Sequence, residues 1–301
     1  MFSKINSIVS KIFPQEDSIK TRLLEVGKRA REFNNIPAKV RERQLKEYAS
    51  DRNPQIRTLA CDVLRHNFDL VSENTRNKLL ANLGTDDEMP AGRTYVSGIL
   101  QVNFEKISKD VRENLLLKFS GDKMIGARYD CGTSVFQHFS DISDNVRDEI
   151  ITKLSSDPDH SVRARMSEAF RDNFSSLPLD IQKKLFEKFL DDPDEDIRKD
   201  VARTILDNFD RISEKISENL LEKLAGDHYT GIKVTVSQAL EWHFDKISYH
   251  TRNEILRKLA TDPVGQQDSE LKKHIDSILR KYPNKIPGEI LELFKNKIKK
   301  I

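Results

Sequence analysis

Seven histidines, two cysteines, two glycine-framed loops and a regular column of arginines are the residues of this 301-residue chain whose types could support chemistry. The histidines, at positions 66, 138, 160, 228, 243, 250 and 274, form no H-E-x-x-H and no close pair with a cysteine, so no zinc signature is present. Cys61 and Cys131 are too few for a disulfide framework and read as thiols of a reducing interior. Gly121 to Gly126 and Gly226 to Gly231 have the spacing of a phosphate loop, but Ala127-Arg128 and Ile232-Lys233 follow where Lys-Ser/Thr is needed to reach phosphate and magnesium. These residues predict no catalytic centre, no metal and no cofactor. The arginines allow two readings. Arg22, Arg57, Arg93, Arg128, Arg163, Arg198 and then Lys233 could line a nucleic-acid backbone. They could equally pair with the acidic column Asp51, Asp87, Asp122, Asp157, Asp192, Asp227 and Asp262, which keeps the same step. One acid for each arginine favours the internal ladder.

The same step of 35 or 36 residues separates Phe33, Phe68, Phe104, Phe139, Phe174, Phe209 and Phe244, so the chain is a tandem array. Each unit reads as two helices. Ile197, Val201, Ala202, Ile205 and Phe209 make one apolar stripe, and Ile212, Ile216, Leu220, Leu221 and Leu224 make the next. Ser72, Ser108, Ser143, Ser213 and Ser248 stand where an N-cap hydroxyl would accept a first-turn N–H. Pro178 replaces the serine in one unit. In the column before the phenylalanines, Asn67, Asn103, Asn173 and Asn208 alternate with His138 and His243. This column reads as helix termination, since asparagine tolerates the left-handed conformation. A pair of helices about 35 residues long cannot cover its own apolar face, so neighbours must stack, which predicts an all-α solenoid.

Asp157…Val162-Arg163 and Asp192…Ile197-Arg198 resemble the signature of HEAT and HEAT-like repeats, over about residues 16–262. The pattern departs at Gly92-Arg93, Ala127-Arg128 and Lys233. The resemblance implies a right-handed α-solenoid of about seven helix pairs. It also implies an Asp–Arg ladder between neighbours and, most often, a protein-binding scaffold rather than an enzyme. The expected organisation is an amphipathic cap at 1–15, the array at 16–262 and an atypical cap with a basic tail at 263–301, in one continuous domain.

Columns that vary among units on the solvent side of the second helix are where a solenoid usually carries specificity. They run Leu59, Tyr95, Asp130, Arg165, Asp200, Thr235; then Asp62, Gly98, Thr133, Glu168, Arg203, Gln238; then His66, Val102, Gln137, Asp172, Asp207, Trp242. Six acids and two bases there suit a partner of basic or mixed charge and oppose a duplex. Gly92, Gly98, Gly126 and Gly132 lie in helical segments despite glycine's penalty of about 1 kcal/mol, beside Tyr95 and Tyr129. They could open a path for a partner backbone or merely adjust the curvature of the solenoid. The candidate binding residues are therefore Tyr95, Tyr129, Asp130, Gln137, Arg165, Glu168, Asp172, Asp200, Arg203, Asp207 and Trp242.

Overall the chain carries a net charge of +2, with +5 over residues 1–47, −6 over 155–227 and +6 over 272–301. The stripe Phe2, Ile5, Ile8, Val9, Ile12, Phe13 either caps the first repeat or docks elsewhere, including weakly on an anionic membrane. No run is long and apolar enough to span a bilayer, so a cytoplasmic scaffold is the leading expectation. The alternative is a nucleic-acid-binding solenoid resembling the DNA-alkylation-repeat proteins, with or without glycosylase activity. It would need a basic aromatic-lined cleft, for which Trp242 and Tyr129 are the aromatic candidates.

Overall fold

The computed structural model describes residues 21, 22, 24, 28, 32–262 and 268–298, the side chains of 34 and 295–298 excepted. The amphipathic segment at 1–15 and the last three residues lie outside this set. Every regular element among the described residues is helical. The fold is an all-α solenoid, and the chain separates into two compact units, residues 1–150 and 151–301, divided within the helix Asp144–Leu154.

In the first unit, α1 (Ala38–Ala49), α3 (Glu73–Gly84), α5 (Lys109–Phe119) and α7 (Asp144–Leu154) are first helices of their pairs. The second helices are α2 (Pro54–His66), α4 (Pro90–Val102) and α6 (Ile125–Gln137). In the second unit, second helices α8 (His160–Asn173), α10 (Glu195–Asn208), α12 (Thr230–His243) and α14 (Ser269–Lys281) alternate with first helices α9 (Leu179–Phe189), α11 (Glu214–Leu224), α13 (Tyr249–Thr261) and α15 (Gly288–Ile298). Within each unit, second helices pack on second helices and first on first, the second-helix layer more closely. Among the described residues no helix is long and apolar enough to cross a membrane.

The local chemistry of α10 is representative. Asp194 accepts from the N–H of Asp196 at 2.9 Å and caps the start. Ile197, Val201, Ala202 and Ile205 are buried along one stripe. At the end, Asn208 Nδ2 donates to the Thr204 carbonyl at 3.1 Å. Asn67, Asn103 and Asn173 do the same four residues back, at 2.9–3.1 Å. Asparagine therefore ends these helices with its side-chain amide; no described residue has positive φ, so the left-handed expectation is corrected. The phenylalanine that follows is buried and opens a short turn, as at Phe68–Leu70 and Phe104–Lys106.

The serine column also works differently from its expected role. Ser72, Ser108 and Ser213 make no side-chain cap, whereas Ser248 accepts from Thr251 N–H at 3.3 Å. Instead a carboxylate from the preceding first helix accepts the serine's own backbone N–H: Glu42 for Ser72 at 2.9 Å, Glu113 for Ser143 at 2.7 Å, and Glu218 for Ser248. The longer acidic side chain bridges two pairs, which a serine hydroxyl is too short to do.

The ladder is internal. Arg93 donates from Nε to Asp122 at 2.5 Å and from Nη2 at 3.1 Å, while its Nη1 reaches the Asp86 carbonyl at 2.8 Å. In the second unit Arg163–Asp192 and Arg198–Asp227 repeat this fork, and Lys233 reaches Asp262 with one bond at 2.6 Å. One rung differs from the sequence reading: Arg57 pairs with Asp86, at 2.5 and 3.2 Å, rather than with Asp87. The extra residue of the 36-residue step falls after the ladder acid, leaving Asp87 exposed against Lys118 at 3.1 Å.

Candidate partner-binding surface

In the first unit, α2, α4 and α6 form an open surface concavity of about 340 Å³ lined by Arg65, Ala91, Thr94, Tyr95, Gly98, Gln101, Val102 and Asp130. Tyr95 and Asp130, from successive second helices, are thus brought together, with Val102 80% exposed beside them. Asp130 accepts from Ser97 Oγ at 2.7 Å. Burial pushes its carboxyl above the usual aspartate value, against the Ser97 hydrogen bond and the Arg65 charge. The site offers an aromatic face, an aliphatic side chain, a guanidinium and a carboxylate.

The glycines now divide. A Cβ on Gly92 would lie 2.3 Å from Met89 Cε, and one on Gly126 3.0 Å from Thr94 Cγ2, so packing explains both. Gly132 is buried. A Cβ on Gly98 would meet only Asp130 Oδ2, at 3.8 Å, although Gly98 sits in the interior of α4. Packing does not require that glycine. A Cβ on Gly231, which made the second phosphate-loop match, would lie 2.8 Å from Cε1 of the Tyr229 ring, so its small size answers a packing need.

Tyr129 is half-buried on α6, and Gln137 is exposed at its end. In the second unit Asp172, Arg203 and Asp207 are exposed and Trp242 is 61% exposed, all on second helices. Arg165 and Glu168 pair with each other at 2.5 Å along α8. Asp200 is not on the solvent face. It is buried between α8 and α10, accepting from Ser167 Oγ at 2.8 Å and pairing with Arg171 at 2.5 Å. Thr235 of the same column is buried as well. That column follows the seam where second helices meet. Its signal was available in the neighbouring column Cys61, Ser97, Gly132, Ser167, Ala202 and Ser237, small in every unit so that helices can approach.

A second arginine column escaped the sequence reading. Arg76, Arg112 and Arg147 in the first unit and Arg252 in the second lie 4.4–4.7 Å from the centroids of Phe68, Phe104, Phe139 and Phe244. The steps of 36 and 35 residues between Arg76, Arg112 and Arg147, resumed three repeats later at Arg252, were the available signal. Cys61 and Cys131 are buried, the Cys131 thiol donating to the Leu116 carbonyl at 3.3 Å, and burial pushes the Cys61 thiol up to about 12.

No family model and no curated protein matches the chain. Among solved structures, that of Cex1p is similar over 99% of this chain, at 13% identity and a TM-score of 0.55. The chain spans 58% of the Cex1p structure's length. An engineered protein solved as a structural-genomics target is similar over 95% of this chain and 80% of its own, at 16% identity and a TM-score of 0.50. At these identities the likeness concerns the fold.

Proposed function

We propose that this chain is a HEAT-like, non-catalytic scaffold that binds a peptide segment of another protein on its second-helix face, centred on the concavity around Tyr95. The observation that carries the reading is Gly98, a helix-interior glycine without a packing partner at the floor of that concavity. Absence of a side chain there leaves room for a partner's main chain, with Tyr95 and Val102 as apolar anchors and Asp130 as acceptor. The closer packing of second helices supports their face as the inner side of each unit. The HEAT-like assignment rests on the Asp–Arg ladder between successive pairs. The nucleic-acid alternative has less support, because the ladder arginines donate to carboxylates and carbonyls rather than to solvent.

The test is selection of peptides from a random library on the purified protein, followed by competition with Gly98→Leu and Tyr95→Ala. The expected result is enrichment of a consensus whose binding both variants weaken at least tenfold while circular dichroism is unchanged. A consensus that binds both variants as tightly as wild type overturns this site. Selective, steeply salt-dependent binding of DNA in its place would restore the alternative.

A further inference from the structure

Four of the corners between successive helix pairs place a cation at the same position. The residue after one corner's phenylalanine meets the residue two after the next. Lys106 Nζ holds Asp69 at 2.7 and 2.9 Å in the first unit. In the second unit Lys246 holds Asp210 at 2.6 and 2.8 Å, Lys285 holds Asp245 at 2.6 Å, and Arg211 donates to Ser175. Each of these four corners has a cation in the second place. The corner at Glu105 has Asp141 there instead. Two carboxylates face each other, and among the described residues neither pairs with a lysine or arginine.

Between them stands His138, at a position occupied by asparagine in most units. Its ring is stacked on Phe104, with centroids 4.2 Å apart and planes 5° from parallel. The turn is fixed by Asp141 N–H donating to the His138 carbonyl at 2.9 Å, and by Arg112 Nη2 donating to the Asp141 carbonyl at 3.1 Å. His138 Nδ1 lies 3.8 Å from Asp141 Oδ2, and one ligand atom from each of Glu105, His138 and Asp141 falls within 4.8 Å of the others. Across a tetrahedral zinc with bonds of about 2.1 Å the ligand atoms stand about 3.4 Å apart, so exposed carboxylates need only small rotations to close on an ion.

We infer that Glu105, His138 and Asp141 form a site for a first-row divalent transition cation of the zinc type, which supplies the positive charge that lysine or arginine supplies at four other corners. One imidazole nitrogen with two carboxylates suits such an ion, whereas calcium and magnesium favour all-oxygen shells. Three protein ligands leave a fourth position for water or a partner's side chain. The sequence hid the site because its ligands come from two successive corners 33–36 residues apart rather than from one short motif.

The second unit contains its own control. Asp210 and His243 repeat the carboxylate and the imidazole, His243 stacked on Phe209 at 4.2 Å, but Lys246 takes the third place. Isothermal titration of the metal-free full chain with zinc chloride should therefore give one specific site. His138→Asn, which restores the asparagine of other units, should weaken it by about tenfold to a hundredfold, at least the loss seen for outer-shell partners of metal ligands. Asp141→Lys should abolish it, and Lys246→Asp should raise the stoichiometry to two. No saturable binding at 100 µM zinc, or binding unchanged in both His138→Asn and Asp141→Lys, would overturn the site. Both of those substitutions install residues already used at equivalent corners, and circular dichroism of each checks that the fold is retained.

Discussion

Replacing Gly98 by alanine should stabilise the protein, and the size of the gain tests why a glycine is there. Gly98 is the ninth residue of the 13-residue helix α4, far enough from both ends for interior propensities to apply. Glycine in that setting is less favourable than alanine by about 1 kcal/mol, because the unfolded chain loses more freedom on folding. The new methyl would touch only Asp130 Oδ2 at 3.8 Å, an ordinary van der Waals separation, so no steric term offsets the gain. Slight further desolvation of the half-buried Asp130 is the only opposing effect. With a urea m-value of about 1–3 kcal/mol/M, the midpoint should rise by about 0.3–1 M at unchanged m. Gly92→Ala provides the contrast. Its Cβ would lie 2.3–2.5 Å from three atoms of the fully buried Met89, and overpacking of that kind destabilises by about 1–3 kcal/mol. Urea titrations followed by circular dichroism on the two variants decide the matter. A neutral or destabilising Gly98→Ala would mean that the glycine serves the fold, and the argument that it serves a partner would fail.

Three other outcomes follow from the same geometry. Asp122 is buried, which raises its carboxyl, yet the Arg93 fork and the Met124 N–H outweigh burial and hold it below the usual value; its contribution is therefore present above about pH 4 and lost as pH falls through the lowered folded value, so Arg93→Met should remove that acid-sensitive increment and destabilise by about 3–5 kcal/mol at neutral pH. Asp130 has the opposite sign: burial raises its carboxyl, so Asp130→Asn should stabilise at neutral pH and lose that advantage below about pH 4, in paired urea titrations at the two pH values. The Cys61 thiol, buried and pushed up to about 12, should resist Ellman's reagent in the native protein and react on unfolding, and rapid native reaction at neutral pH would contradict its placement.

The fold was legible because a solenoid writes its constraints once per repeat. Buried phenylalanines, ladder arginines and helix-ending asparagines appear at one step, and the structure gives each a physical task. Pairing across repeats was harder to read. An insertion of one residue leaves the phenylalanine step unchanged whether it falls before or after Asp86, so the choice between Asp86 and Asp87 depended on which side chain reaches Arg57. The serine column pointed to the correct helix starts but the wrong donors and acceptors, because Glu42, Glu113 and Glu218 arrive from a different helix. Asp200 read as exposed because periodicity locates a helix face without saying whether a neighbouring helix covers it. Tyr95 and Asp130 share a column of that reading, and their joint lining of one concavity required the packing of α4 on α6.

Departures from the repeat carry information in proportion to how fully packing fails to explain them. Lys233 departs from the arginine column, yet its ammonium reaches Asp262 at 2.6 Å, so the rung is weakened without acquiring a new task. Gly92 departs from helix propensity, but Met89 fills the space above it. Gly98 and Asp141 have no such compensation. The first leaves a concavity open at the expense of helix stability, and the second puts two carboxylates together where four other corners hold a cation. A chain that maintained its repeats for stability alone would gain by replacing both residues, with alanine at 98 and lysine at 141. Their presence in one unit, on a surface groove and an exposed corner, therefore argues that what each awaits comes from outside the chain: a peptide at the first and a metal ion at the second.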